Sequence, residues 1–244
     1  MRVNLPNTIT VVRIGLAPLV PVLMLQESSV LRLAAFGVFL VAALSDLWDG
    51  YLARTRDQTT DFGKVADPIA DKLLLAVVLV PVWWLTTREA GLGGLPLFGG
   101  VPLWAVAVLL GREVLITGMR VFAARRGVVL AAAQVGKHKA FSQNIFLGSS
   151  IVWVAYRTAV LEEGWTGGFW AFWDRFHAWF VVTFLVVSLL LTVYSMIVYL
   201  LSFRSEWPFE SGAAGEDGAP VSDAGADVAS DGGEDDRVTG ERVR

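Results

Sequence analysis

The feature that most constrains this chain is a succession of apolar runs, each close to the ~20 residues a helix needs to cross a bilayer. Six such runs fall at roughly 9–26, 30–54, 67–87, 102–124, 139–160 and 177–203. Inside lipid every backbone N–H and C=O must find a partner within the protein, and a helix achieves this within one segment. The predicted fold class is therefore an all-α membrane protein of six transmembrane helices. Composition agrees, since only 18% of the 244 residues are charged against about 25% in soluble domains. The chain has no cysteine, which excludes a disulfide framework, a zinc–thiolate site and a thiol nucleophile. His138 and His177 are too few and too isolated to suggest an imidazole metal site. Nothing in the pattern points to a nucleic-acid partner.

The net charge of −3 averages two unlike regions. Residues 205–244 hold 11 acidic and 3 basic residues, whereas residues 1–204 hold 12 acidic and 17 basic. The tail is built from Gly, Ala, Ser and Asp and has almost no bulky apolar residues after Phe209. It cannot bury enough surface to offset its ordering entropy, so it is expected to be a disordered acidic segment following a membrane domain at 1–204. At the other end, Arg2 and Pro6 precede the first apolar run with no small-residue cleavage pattern. That predicts a short interfacial lead-in rather than a removed signal peptide.

Orientation follows from the basic residues. An even number of spans puts both termini on one side, together with Arg54, Arg56, Lys64, Arg125, Arg126, Lys137 and Arg204. The opposite loops offer only Arg32, Arg88, Arg157 and Arg175. The positive-inside rule therefore makes the termini and the loops near 55–66 and 125–138 cytoplasmic. Trp83, Trp84, Trp165, Trp170, Trp173 and Trp179 gather near the two outer loops, as an interfacial aromatic belt would. The expected location is the cell (inner) membrane, spanned several times, with lipid as the surrounding partner.

Ionisable residues within spans are costly, from about 2.5 kcal/mol each, and usually functional. Asp46, Asp49, Gly50 and Ala53 recur at i, i+3, i+4 and i+7 and so share one helical face at the cytoplasmic end of the second span. Asp67 and Asp71, at i and i+4, share a face of the next helix. A short cytoplasmic turn containing Gly63 is expected to join these helices as an antiparallel pair, on which the four carboxylates can converge. Such a group repels itself unless cations neutralise it. An all-oxygen donor set selects a hard ion, Mg²⁺ or Mn²⁺, and two ions would suit an in-line displacement at a diphosphate. A salt-bridge network would account for one or two of the acids but poorly for four. A divalent-cation transporter would place its acids nearer mid-membrane on broken helices.

The run Asp46-x2-Asp49-Gly50-x2-Ala53-Arg54-x8-Gly63-x3-Asp67-x3-Asp71 resembles the signature of the CDP-alcohol phosphatidyltransferases at every defined position. The resemblance implies six spans, a cytoplasm-facing polar cavity and a homodimer. It further implies an acceptor hydroxyl attacking the phosphate of a CDP-activated lipid such as CDP-diacylglycerol, with CMP leaving. On it, Asp46, Asp49, Asp67 and Asp71 bind the metals, and Asp71 is also the candidate general base. Asp46, Asp49, Gly50, Ala53, Arg54 and Gly63 lie along the nucleotide, with Arg54 available to the diphosphate.

The signature does not choose the acceptor. Arg112, Arg120, Lys137 and Lys139 recur on the fourth span and beyond it, as a phosphate-bearing acceptor would require. Two further stretches resemble the branch of the family that uses glycerol 3-phosphate. One is Asn4-Leu5-Pro6-Asn7 with Thr10 and Arg13. The other runs from Gly111-Arg112-Glu113 through Thr117-Gly118-Met119-Arg120 and Gly127-Val128-Val129 to Gly136-Lys137-x-Lys139. Ala140 departs from that branch, which usually has threonine there. The expected reaction is transfer of phosphatidyl to glycerol 3-phosphate. The alternatives are inositol phosphate, or phosphatidylglycerol giving cardiolipin, and outside the class a divalent-cation transporter.

Overall fold

The computed structural model describes the backbone of residues 5–55, 61–125 and 135–206, and the side chains of 8–45, 69–123, 125 and 139–201. The acidic tail beyond residue 206 lies outside them. The described residues form α1 (Leu5–Leu16), α2 (Leu19–Met24), α3 (Ser29–Thr55), α4 (Asp61–Arg88), α5 (Leu103–Arg125), α6 (Val135–Glu163) and α7 (Gly168–Glu206). No strand occurs among them.

The first apolar run differs from its expectation as a single span, because it is two helices. Pro18 has no N–H with which to continue α1, so the ladder closes at Ala17, whose N–H reaches the Arg13 carbonyl (2.9 Å). The chain restarts as the short α2 with Pro18 at its N-cap.

Among the described residues three stretches are long and apolar enough to cross a membrane: Ile69–Arg88, Lys139–Glu163 and Gly168–Leu201. Thr8–Met24 and Ser29–Ser45 are shorter apolar helices. In α5 the charged Arg112, Glu113 and Arg120 interrupt the apolar stretch. The outer surface is rich in bare aliphatic and aromatic side chains, among them Val30, Val114, Phe141 and Leu190. A water-soluble monomer rarely tolerates that much contiguous apolar surface, and the chain is accordingly a membrane protein.

α6 occupies the middle of the bundle and packs against α3, α4 and α7. Its close approach to α3 is set by Gly148, where an added Cβ would lie 3.2 Å from the Phe39 ring and 3.3 Å from that of Phe36. Val78, Leu79, Phe146, Ile151, Val181 and Leu185 fill the core from three helices. Burial of each such side chain contributes about 1.5–3 kcal/mol in water. In lipid that drive is weaker, and tight packing with hydrogen bonds carries more of the burden.

At one end of the bundle Arg32 and Arg157 are each paired with a carboxylate and with backbone carbonyl oxygen. Arg32, buried at the start of α3, donates from Nε to the carbonyls of Met24 (3.1 Å) and Gln26 (2.7 Å) at the end of α2. Its guanidinium also meets both carboxylate oxygens of Glu89 beyond α4, at 3.0 and 2.9 Å, and the Thr158 hydroxyl of α6. Arg157 bonds Asp174 (2.7 Å) and the carbonyl of Gly91 (2.8 Å). Ser29 bonds Glu162, and His177 donates to the carbonyl of Ser149 (3.1 Å) beside the Trp153 ring. Two of the four arginines read from sequence as sparse outer charges are therefore neutralised struts.

The aromatic belt is present at this end as stacked pairs. Trp165 lies 4.2 Å from Trp170, centroid to centroid, and Trp83 meets Trp84 edge-on at 6.1 Å. The loop between α4 and α5 folds back on itself through Gly99 (φ 71°). It presses on α4 so closely that a Cβ at Gly100 would sit 2.5 Å from the Thr86 carbonyl oxygen.

Candidate functional site

The opposite end of the bundle gathers the C-terminal turns of α3 and α5, the N-terminal turns of α4 and α6, and the last turns of α7. α3 is helical to Thr55, so Asp46, Asp49, Gly50, Ala53 and Arg54 occupy its final turns. α4 begins at Asp61, which puts Gly63, Asp67 and Asp71 in its first three turns. The two helices touch and are joined by only a few residues. The spacing argument from the sequence therefore rests on a continuous helical backbone at both ends of the connection. The side chains of Asp46, Asp49, Gly50, Ala53, Arg54, Gly63 and Asp67 lie outside the described residues, as does that of Lys137.

Asp71 is described, and it is exposed at its carboxylate. Arg13 of α1 approaches it, with Nη1 3.6 Å from Oδ1, while the Arg13 side chain is itself fully buried. A guanidinium out of contact with water needs a compensating negative charge, and α1 packs along α4 so as to supply one. Thr10, one turn earlier on α1, is buried as well. The buried face of α1 thus carries two polar side chains, of which Arg13 reaches Asp71 on α4.

By donor chemistry alone, carboxylates at these four positions are of the kind that hard divalent ions take. Four carboxylates on adjoining helical turns offer only oxygen, and Asp71 keeps an exposed oxygen-bearing head at this end. Among the described residues no three His, Cys, Asp or Glu side chains gather at one point. Three of the four aspartates fall outside that set.

A second group of charges is built on α5, α6 and α7. Glu113 accepts from Arg112 at 2.8 Å and from Lys139, which is buried at the start of α6. Arg112 also donates to the Ser195 hydroxyl of α7, and its buried Nε has no partner. Arg120 bonds the hydroxyl of Tyr199. The Tyr199 ring faces both guanidinium carbons, Arg120 at 5.0 Å and Arg112 at 5.9 Å. Arg112 and Lys139 thus share the carboxylate of Glu113 and Arg120 joins them through Tyr199, so that among the described residues of this group three cations stand with one carboxylate. α6 packs against both α3 and α4, and α5 packs against α4, so this group is carried on helices that adjoin the aspartate-bearing ones.

Of the residues expected to bind the acceptor, the structure brings Arg112, Arg120 and Lys139 into one network. Sequence reasoning used Arg13 only as part of a resemblance, and it read the last span, with Ser195 and Tyr199, for topology alone. A signal was available, because Ser195 and Tyr199 stand at i and i+4 within an otherwise apolar run and so share a face.

Comparison with known proteins gives a consistent result. The family described as CDP-alcohol phosphatidyltransferase matches residues 3–173. The chain is 35% identical over 161 residues to a CDP-diacylglycerol–glycerol-3-phosphate 3-phosphatidyltransferase of Bacillus subtilis, covering 61% of this chain and 77% of that one. It is 29% identical over 214 residues to the Escherichia coli K12 protein of the same name, covering 84% and 98%.

Proposed function

The chain belongs to the CDP-alcohol phosphatidyltransferase family and is an enzyme of that class, and from this premise we propose that it transfers phosphatidyl from CDP-diacylglycerol to glycerol 3-phosphate. The product is phosphatidylglycerophosphate and CMP is released. The observation that carries the choice of acceptor is the surplus of positive charge around Glu113, beside the helices that bear the aspartates. A phosphate monoester carries about −1.5 to −2 charges at neutral pH. Three linked cations around one carboxylate match such an anion, whereas an uncharged or zwitterionic acceptor would leave them uncompensated. The names of the two relatives support the same donor and acceptor.

In the reaction the acceptor hydroxyl oxygen forms a bond to the phosphorus attached to diacylglycerol. The bond from that phosphorus to the bridging oxygen breaks, and CMP departs with the electron pair. The protein's part is chiefly positioning and charge neutralisation. Asp71 takes the hydroxyl proton, and Arg13 holds its carboxylate in place across 3.6 Å. By the family resemblance Arg54 would serve the diphosphate, and Gly50 and Ala53, being small, would leave room for the nucleotide. Arg112, Arg120, Lys137 and Lys139 hold the acceptor phosphate. Asp46, Asp49, Asp67 and Asp71 would hold one or two Mg²⁺ or Mn²⁺ ions, which when bound neutralise diphosphate charge.

The same reading makes the chain a six-span protein of the cell membrane, counting α1 and α2 together as one span. Both termini and the aspartate end face the cytoplasm, where CDP-diacylglycerol's headgroup and glycerol 3-phosphate meet. The family resemblance also implies a homodimer.

CMP release from CDP-diacylglycerol by the purified protein with Mg²⁺ tests the proposal, with glycerol 3-phosphate, inositol phosphate, phosphatidylglycerol and serine compared as acceptors. Release with glycerol 3-phosphate alone is expected. Release only with another acceptor would overturn the choice of acceptor and keep the chemistry.

A further inference from the structure

Arg112 and Arg120 stand eight residues apart on α5, which separates them by about 80° around the helix and about 12 Å along it. The helix alone does not converge them. What brings them together is one residue of α7. The Tyr199 ring centroid lies 5.0 Å from the guanidinium carbon of Arg120 and 5.9 Å from that of Arg112. Its hydroxyl accepts from Arg120, and Ser195, one turn earlier, accepts from Arg112. Both α7 side chains are buried, Tyr199 at 7% and Ser195 at 2% exposure, so neither swings freely. Arg112 still has a buried Nε without a partner, and Arg120 remains exposed. The two guanidiniums are thus held in place with donor capacity left over.

We propose that Tyr199, with Ser195, is a positioning residue for the acceptor site, holding Arg112 and Arg120 against one aromatic ring so that both donate to the phosphate of the incoming acceptor. The inference rests on the reading of Arg112 and Arg120 as acceptor-phosphate ligands. An aromatic ring attracts a guanidinium through its face while leaving the in-plane N–H groups directed outward. Arginines so held lose little further side-chain freedom when the phosphate arrives. Because Tyr199 is placed to act on the acceptor alone, its removal weakens acceptor binding and spares both the donor and the chemical step.

The test is steady-state kinetics of the full chain in phospholipid nanodiscs, varying CDP-diacylglycerol and glycerol 3-phosphate separately, for Tyr199→Leu, Tyr199→Phe and Arg112→Gln. Tyr199→Leu is expected to raise KM for glycerol 3-phosphate about tenfold, with kcat and KM for CDP-diacylglycerol within twofold. Tyr199→Phe keeps the ring and loses the hydroxyl, so it raises the same KM about two- to threefold. The positioning role is overturned if Arg112→Gln raises that KM while both Tyr199 variants leave it unchanged. It is equally overturned if Tyr199→Phe lowers kcat or raises both KM values together, the signature of general damage to packing. Should Arg112→Gln itself leave KM for glycerol 3-phosphate unchanged, the acceptor-site reading fails first and the role of Tyr199 with it.

Discussion

The two ends of this bundle handle buried charge in opposite ways. Around Arg32 and Arg157 each cation is met by a carboxylate and by backbone carbonyls. Arg32 alone ties α2, α3, α6 and the segment after α4 together. Around Glu113 the described cations outnumber the carboxylate, one arginine nitrogen stays unpartnered, and on α4 Asp71 keeps its head exposed beside a buried arginine. A saturated network supports conformational order and has nothing left to offer a ligand. An unsaturated one costs stability, and its cost is offset when a ligand of opposite charge arrives. One end is therefore fastened by its charges, and the other keeps charges that the proposed function assigns to its substrates.

Breaking the unsaturated end is expected to affect catalysis more than folding. Asp71→Asn removes the proposed base and should lower CMP release by about 10³-fold or more. The melting temperature of the purified protein should stay within a few degrees. Full activity of a folded Asp71→Asn protein would remove Asp71 from the reaction.

Breaking the saturated end should do the reverse. Arg32→Met leaves Glu89 and two backbone carbonyls without their donor and should lower stability by about 3 kcal/mol. Thermal unfolding in detergent measures this, with kcat per folded molecule unchanged. A large fall in kcat without loss of stability would show that the two ends are coupled.

Smaller effects sharpen the contrast. Arg112→Gln should raise KM for glycerol 3-phosphate about tenfold at nearly constant kcat, measured beside an unchanged KM for CDP-diacylglycerol. Ser29→Ala at the saturated end removes an exposed contact to Glu162. It should leave kcat and both KM values within twofold, because Arg32 already fastens that corner.

Much of this was legible in the sequence. Helical character followed from apolar runs of membrane-crossing length, and the six predicted runs all contain helix. The family followed from the fixed spacing between Asp46 and Asp71, which the structure places on the last turns of α3 and the first turns of α4. The break at Pro18 was also written there, since the prolines were visible, but the apolar run passes over it without interruption. Lys139 and Glu113 were both visible as charges. Nothing in their separation of 26 residues said that they pair.

The sequence by itself determined the membrane class, the order of helices and the aspartate-bearing turns, all of which depend on composition or on neighbours a few residues apart. The tertiary structure alone decided which charges are spent on one another and which remain available. It set Arg13 against Asp71, closed Arg32 on Glu89, and carried Tyr199 of α7 across to two arginines of α5. Periodicity shows which face a residue occupies. Only the packing of helices distant in the chain shows what that face meets, because pairing between them is fixed by shape and burial rather than by spacing.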